Sequence, residues 1–237
     1  MNDDASDLER LSKELADRTG TGLRQRWRIR VWRLTVWFAY AVKRTLDVVL
    51  TLLALVVLSP LLIGTYLAVR LTSRGPAFFV QTRVGRDGRH FAFYKFRSMY
   101  VDAEARKAAL MAENESADGV IFKMKNDPRI TPVGRFIRKF SIDELPQLVN
   151  VLKGDMTLVG PRPPVPSEVA QYTLEERKRL NVIPGLTCLW QISGRSDIPF
   201  HEQVRLDKEY IRTHGVWNDL KILLKTVPAI ISGKGAY

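Results

Sequence analysis

The 237-residue sequence contains one cysteine, Cys188, so no disulfide can form within it and nothing calls for an oxidising compartment. Its three histidines, His90, His201 and His214, are scattered without metal-ligand spacing, which argues against a zinc centre. Neither G-x-x-x-x-G-K-[ST] nor G-x-G-x-x-G occurs, so the two common phosphate-cradling loops are missing. Repeats of solenoid length are absent as well. Acidic residues are scarce, 25 against 37 basic ones, giving a formal net charge of +12. Such a balance implies anionic partners: nucleic acid, an anionic membrane surface or phosphorylated substrates.

What is present changes along the chain. Residues 1–22 read as a polar, flexible leader with a short helix over Leu8–Leu15, ending in Thr19-Gly20-Thr21-Gly22. It has no apolar stretch and is not a secretory signal. Residues 23–44 interleave Arg24, Arg26, Arg28, Arg30 and Arg33 with Trp27, Trp32, Trp37 and Phe38, without an acid. Tryptophan suits the headgroup level of a bilayer, and each arginine there gains roughly 1 kcal/mol from anionic lipid. The segment is therefore expected to lie at a membrane interface. A nucleic-acid arm with stacking aromatics would share this composition. The apolar run that follows argues against it, and no nucleic-acid partner is expected.

Between Asp47 and Arg70 no residue is charged. A straight helix over that run would be about 33 Å long, enough for a hydrocarbon core of about 30 Å. Pro60 interrupts it, and Ser59 is placed to satisfy a carbonyl that the proline frees. Both flanks are basic: Lys43 and Arg44 before the run, Arg70, Arg74, Arg83, Arg86 and Arg89 after it. A true span would send one flank across the membrane against the positive-inside rule. A kinked span and a re-entrant helix-break-helix hairpin over residues 45–72 are both compatible with these residues.

Residues 73–237 read as an α/β domain, mainly helical with a small β-hairpin or sheet. Strands are expected over Ala77–Val84 and Phe91–Phe96, joined by Gly85-Arg86-Asp87-Gly88. Helices are expected over Asp102–Glu115, Val133–Phe140, Leu145–Leu152, Glu168–Leu180, Phe200–Thr213 and Trp217–Ile231. The last sets Leu220, Leu223, Leu224, Val227 and Ile231 on one face, either core packing or an amphipathic helix in the interface.

Asp143-Glu144 follows the basic stretch Arg135-Phe136-Ile137-Arg138-Lys139. Ser141-Ile142-Asp143-Glu144 fits a capping box, but Pro146 suits a helix that starts nearer Asp143. The chemical reading is phosphoryl transfer, in which a carboxylate attacks phosphorus and cations neutralise the transferred group. Lys95, Arg97, Arg138 and Arg162 are the candidate phosphate ligands, since arginine grips two phosphate oxygens at once. In Gly160-Pro161-Arg162-Pro163-Pro164 the prolines fix the backbone around Arg162, as a rigid turn or as a preset arginine.

Taken in order, Lys43-Arg44-Thr45-Leu46-Asp47, the run with Ser59-Pro60, Lys95-Phe96-Arg97-Ser98-Met99, Ser141-Ile142-Asp143-Glu144-Leu145-Pro146-Gln147 and Gly160-Pro161-Arg162-Pro163 resemble the monotopic phosphoglycosyl transferases. Leu189-Trp190-Gln191-Ile192-Ser193-Gly194-Arg195-Ser196 and the ending Gly233-Lys234-Gly235-Ala236-Tyr237 are similar to the hexose-phosphate members. The resemblance implies a monotopic protein of the bacterial inner (cytoplasmic) membrane. Its re-entrant hairpin, broken at Ser59-Pro60, would dip into the inner leaflet, with the catalytic domain on the cytoplasmic face. It implies transfer of hexose 1-phosphate from UDP-galactose or UDP-glucose to polyprenyl (undecaprenyl) phosphate, the first step of exopolysaccharide or O-antigen assembly. Asp143 would be the nucleophile and touch Mg²⁺. Glu144 would deprotonate the acceptor or otherwise act as acid or base. Arg138 and Arg162 would bind phosphate, and Asp219 matches a late acidic position. The rival expectation is a non-enzymatic membrane scaffold that binds anionic lipid. The oligomeric state, a homodimer included, stays open. Larger relatives carry spanning helices ahead of this core, so a short form is expected here, and Cys188 stands where glycine is usual, which bears on the sugar pocket.

Overall fold

The computed structural model describes residues 22–110, 124, 126–233 and 235, so the helix expected over Leu8–Leu15 lies outside them. The chain divides between Thr45 and Leu46 into two compact units. The first is described from Gly22 and is helical throughout, the opening part of α1 (Gly22–Val57). Trp27, Trp32, Trp37 and Phe38 are all about two-thirds exposed on it.

The second unit begins inside α1 and turns at Leu58 into α2 (Ser59–Thr72), bent by 62°. The break follows from local chemistry. Pro60 sits in the first turn of α2, where no N–H is needed. It cannot donate to the Val56 carbonyl, and the Ser59 hydroxyl does so instead at 2.8 Å. Neither helix alone is long and apolar enough to cross a membrane, but the bent pair together meets that test by length and composition. Val49, Leu53, Val56, Val57, Ile63 and Leu71 all face outward and are more than half exposed.

The inward side of the pair is tied to the rest of the unit. Asp47, buried, accepts hydrogen bonds from the Thr157 hydroxyl and from the Leu158 backbone at 3.3 Å. Ala54 and Leu55 pack on the core of Phe93, Leu148, Val151, Met156, Leu158 and Val159. Leu62 and Val69 of α2 join a second core with Ala77, Phe96, Ile137 and Ile142. Each limb of the bend therefore rests on a different core.

The hairpin β1 (Phe78–Val84) and β2 (His90–Phe96) is antiparallel and in the expected place, its turn using Asp87 at φ 57°. Directly opposed residues share a face. Phe78 stacks on Phe96 at 5.2 Å, with Tyr66 of α2 beside it, on the face that meets the second core. Phe79, Gln81 and Arg83 oppose Lys95, Phe93 and Phe91 on the other face. A second, parallel pair joins β3 (Thr157–Val159) to β4 (Gly185–Thr187). Helices α3 (Ala103–Leu110), α4 (Pro132–Lys139), α5 (Leu148–Lys153), α6 (Pro166–Val169), α7 (Leu174–Arg177), α8 (Leu189–Ser193), α9 (Phe200–Thr213) and α10 (Val216–Ser232) complete a mainly helical fold with little sheet.

Two helical expectations need correction. Leu145–Leu152 forms as a 3₁₀ turn over Ile142–Gln147 followed by α5, because Pro146 lacks the donor an α-helix needs there. Glu168–Leu180 breaks into α6, α7 and a 3₁₀ turn. Thr173 starts a new helix in its middle: its hydroxyl accepts from the Glu176 backbone at 3.3 Å and Glu176 accepts from the Thr173 backbone at 2.6 Å. On α10 only Asp219 and Ile222 are buried, with Leu223 packed on the core, whereas Leu220, Leu224, Val227 and Ile231 are exposed. Of the apolar stripe, only Leu223 is thus core packing.

Candidate active site

The second unit holds a cavity of about 500 Å³. Strand alternation sends Gln81, Arg83 and Lys95 into it from the hairpin. The last turn of α4 supplies Arg138, the 3₁₀ turn supplies Asp143 and Glu144, and the segment after β3 supplies Arg162. Arg195, between α8 and α9, closes the ring of cations. Lys95, Arg138, Asp143, Glu144 and Arg162, separated in sequence, thus meet at one place.

Local backbone chemistry explains the placement. Thr131 caps α4 by accepting from the Gly134 backbone at 2.9 Å. Gly134 lies so close to the Ser98 carbonyl that a methyl group there would sit 1.8 Å from its oxygen. Ser141 does not form the capping box its spacing suggests. It takes the left-handed conformation at φ 52°, and its hydroxyl accepts from Arg195, itself at φ 57°. Two non-glycine residues in that region cost about 1–3 kcal/mol each, and such outliers cluster at functional sites.

The segment around Arg162 is held through its carbonyls. Gly185 donates to the Pro161 carbonyl, Arg83 to that of Pro163 and Val84 to that of Pro164, each at 2.9 Å. Gly160 and Gly185 meet so closely that a methyl group on Gly185 would fall 2.0 Å from the Gly160 nitrogen. From this support the Arg162 guanidinium reaches Glu144 at 2.6 Å.

Electrostatics separate the two carboxylates. Burial raises the Asp143 pKa to about 6, the Glu144 charge adds to this, and Lys95, Arg138 and Arg162 oppose it. Burial pushes Glu144 up too, but Arg162, with Lys95 and Arg195, outweighs it and holds Glu144 below the usual carboxylate range. Burial lowers Lys95 to about 8 against the pull of Asp143. No hydrogen bond to the Asp143 carboxylate forms among the described residues, which leaves it free to approach an electrophile.

Some expectations are relocated. Arg97 lines the cavity, but its guanidinium donates to the carbonyls of Ser73 and Arg74 and to the Ser73 hydroxyl, fixing the exit of α2. Asp219 belongs to a structural network. The Tyr210 hydroxyl lies 2.9 Å from its Oδ1 and 2.7 Å from the Val159 carbonyl. Asp47, Ser59 and Pro60 shape the bent pair, as described above, and Lys43 and Arg44 lie in the first unit. Cys188 is buried, its thiol 3.2 Å from Gln191 Oε1. Sequence reasoning missed Arg83 and Arg195 as site residues. The alternation Gln81-Thr82-Arg83 on a strand was the signal for the first, and the Gly194-Arg195 pair for the second.

A family model described as bacterial sugar transferase matches residues 38–233. The chain is 50% identical over 195 residues to the galactosyl transferase CpsE of Streptococcus agalactiae, covering 82% of this chain and 43% of that protein. It is 47% identical over 199 residues to the undecaprenyl-phosphate galactose phosphotransferase of Salmonella typhimurium, covering 82% and 41%. The exopolysaccharide production protein ExoY of Sinorhizobium fredii is 38% identical over 198 residues, covering 82% and 88%. The chain thus spans about two-fifths of the length of the first two and most of the third.

Proposed function

This chain belongs to the bacterial sugar transferase family, and from that membership we propose that it transfers a hexose phosphate from a UDP-sugar to undecaprenyl phosphate. The observation that carries the reading is one buried carboxylate, Asp143, without a hydrogen bond among the described residues and ringed by Lys95, Arg138 and Arg162 in a cavity of about 500 Å³. Relatives named as galactose and glucose phosphotransferases support a galactose or glucose donor.

In the first step an Asp143 oxygen bonds to the phosphorus that bears the sugar. The bond from that phosphorus to the bridging oxygen breaks, and UMP leaves with the oxygen and its electrons. In the second, an oxygen of the polyprenyl phosphate attacks the same phosphorus and the bond to Asp143 breaks, restoring the carboxylate. Arg138, Lys95 and Arg162 bind the phosphate oxygens and lower the charge the nucleophile must approach. Glu144, paired with Arg162 and held below the ordinary range, is a poor proton acceptor; its role in this geometry is to orient Arg162.

Among the described residues no three His, Cys, Asp or Glu side chains gather. Mg²⁺ needs no such cluster, since it binds through one or two carboxylates and the substrate's own phosphates. Asp143 would hold it, and the ion would neutralise the diphosphate.

The exposed apolar faces of the bent pair and of α10, with the arginine and tryptophan segment, support lodging at the inner leaflet of the cytoplasmic membrane, where a lipid acceptor is available. The test is UMP release by purified protein in bilayer nanodiscs with a UDP-hexose, undecaprenyl phosphate and Mg²⁺. Turnover should need all three, and Asp143→Asn should lower it at least about 10³-fold, as loss of a nucleophile does. Normal turnover in Asp143→Asn sinks the nucleophile assignment, and no release from any UDP-sugar by the wild type returns the scaffold reading.

A further inference from the structure

Resting on the transfer reading above, we infer that Arg83 is a positioning residue, holding the Pro-Arg-Pro segment so that Arg162 stays on Glu144 and over the donor phosphates. Pro161, Pro163 and Pro164 have no N–H, so three of the four residues 161–164 cannot donate from the backbone, and the segment is held chiefly through its carbonyls. Three of its carbonyls are taken, those of Pro161, Pro163 and Pro164. Two donors are backbone groups of β1 and β4. The third, on the residue next to Arg162, is a side chain.

Arg83 fits that task through its shape. Its Nε donates to Gln81 Oε1 at 3.0 Å while Nη1 donates to the Pro163 carbonyl at 2.9 Å. The two bonds use adjacent prongs of one planar fork, which a lysine cannot reproduce. The guanidinium also lies 5.1 Å from the centre of the Phe93 ring, and Phe93 is wholly buried in the first core. The Arg162 segment is thereby referenced to the core through a rigid chain: Phe93, Arg83, Pro163, Arg162, Glu144.

The arrangement has a cost that argues for a purpose. Burial and the nearby Arg162 charge both disfavour a second cation here, lowering Arg83 to about 10. A neutral amide would relieve that repulsion, but could not span Gln81 and Pro163 at once. The position thus keeps an unfavourable charge in exchange for a fork-shaped donor.

The test is a double-mutant cycle in the full-length protein in nanodiscs. Arg83→Lys keeps the charge and loses the fork. It should lower kcat about 10–100-fold, the size of a misplacement of order 1 Å, with the KM for UDP-hexose changed less than about threefold. In an Arg162→Lys background the same change should cost less than about twofold, because the group it positions is gone. Gln81→Leu, which removes the other prong's partner, should lower kcat in the same direction and also fall silent in that background. Losses that multiply across the cycle, or a raised KM with kcat intact, overturn the inference. Thermal unfolding of the four cycle proteins gives a readout apart from turnover: non-additive shifts are expected, and additive ones count against the positioning role. If the wild type releases no UMP, the transfer reading falls, and the unfolding cycle alone decides whether Arg83 holds Arg162.

Discussion

Two adjacent carboxylates in a buried site cannot both ionise freely, and the residues around this pair decide which one does. Arg162 takes Glu144 and leaves Asp143 to bear the cost of burial, so their pKa values part in opposite directions. The sign of the pH dependence follows. On the proposed mechanism Asp143 must be charged to attack, and its pKa is raised to about 6, so UMP release should be flat above that value and fall about tenfold per pH unit below it. Lys95 lowers the Asp143 pKa; Lys95→Met should therefore move this acid limb to higher pH as well as slow turnover. A pH profile of UMP release under single-turnover conditions checks both, and a limb that stays in place in Lys95→Met removes Lys95 from the site. At this scale the sequence was informative where charge sits beside the dyad or between prolines: Arg138 and Arg162 stand out by those neighbours. It did not foresee the role of Arg97, which lines the cavity just past the end of β2 but spends its guanidinium on Ser73 and Arg74 at the exit of α2. Arg83 was hidden, its relevance depending on a hairpin register that brings Pro163 from 80 residues away.

Elements repeat the lesson with helix starts. Ser141-x-x-Glu144 and Thr173-x-x-Glu176 share one four-residue pattern, yet only the second forms a capping box. Thr173 is free to adopt the extended backbone an N-cap needs, φ −66° and ψ 166°, whereas the Arg195 contact accompanies Ser141 in the left-handed region. Local pattern cannot distinguish them, since the deciding partner lies 54 residues away. Where no such partner intervenes, periodicity suffices, and α9 spans the expected Phe200–Thr213. The element that matters most for the site is α4, which carries Arg138 and rests on Ser98 through Gly134. Gly134→Ala cannot be absorbed by a flexible side chain, because the obstacle is a backbone carbonyl 1.8 Å away. It should destabilise the protein by about 1–3 kcal/mol or more and lower UMP release by displacing Arg138. Thermal unfolding together with turnover checks it; an unchanged midpoint would mean that α4 does not pack on Ser98 as described.

On the scale of the whole second unit, the bent pair and Asp143 are one construction. The limb ending at Val57 is anchored by Asp47 to β3, whose chain leads directly into the Arg162 segment. The limb beginning at Ser59 packs through Val69 on the core that holds Ile142, the neighbour of Asp143. A hairpin that enters and leaves the same leaflet would set both ends of the site at one membrane surface, whereas a span would pull its two anchors toward opposite sides. Asp47 and Val69 are both buried against the same unit, and the hairpin is the arrangement that the proposed function requires of them. The lone cysteine makes this directly measurable, because Cys188 is 1% exposed and should stay silent toward water-soluble maleimides. Single cysteines introduced at Arg24 and at Arg89, tested in sealed inverted and right-side-out vesicles, should both label only from the cytoplasmic side. Labelling of the two positions from opposite sides would make the bent pair a kinked span and separate the apolar run from any role in bringing the lipid acceptor to Asp143.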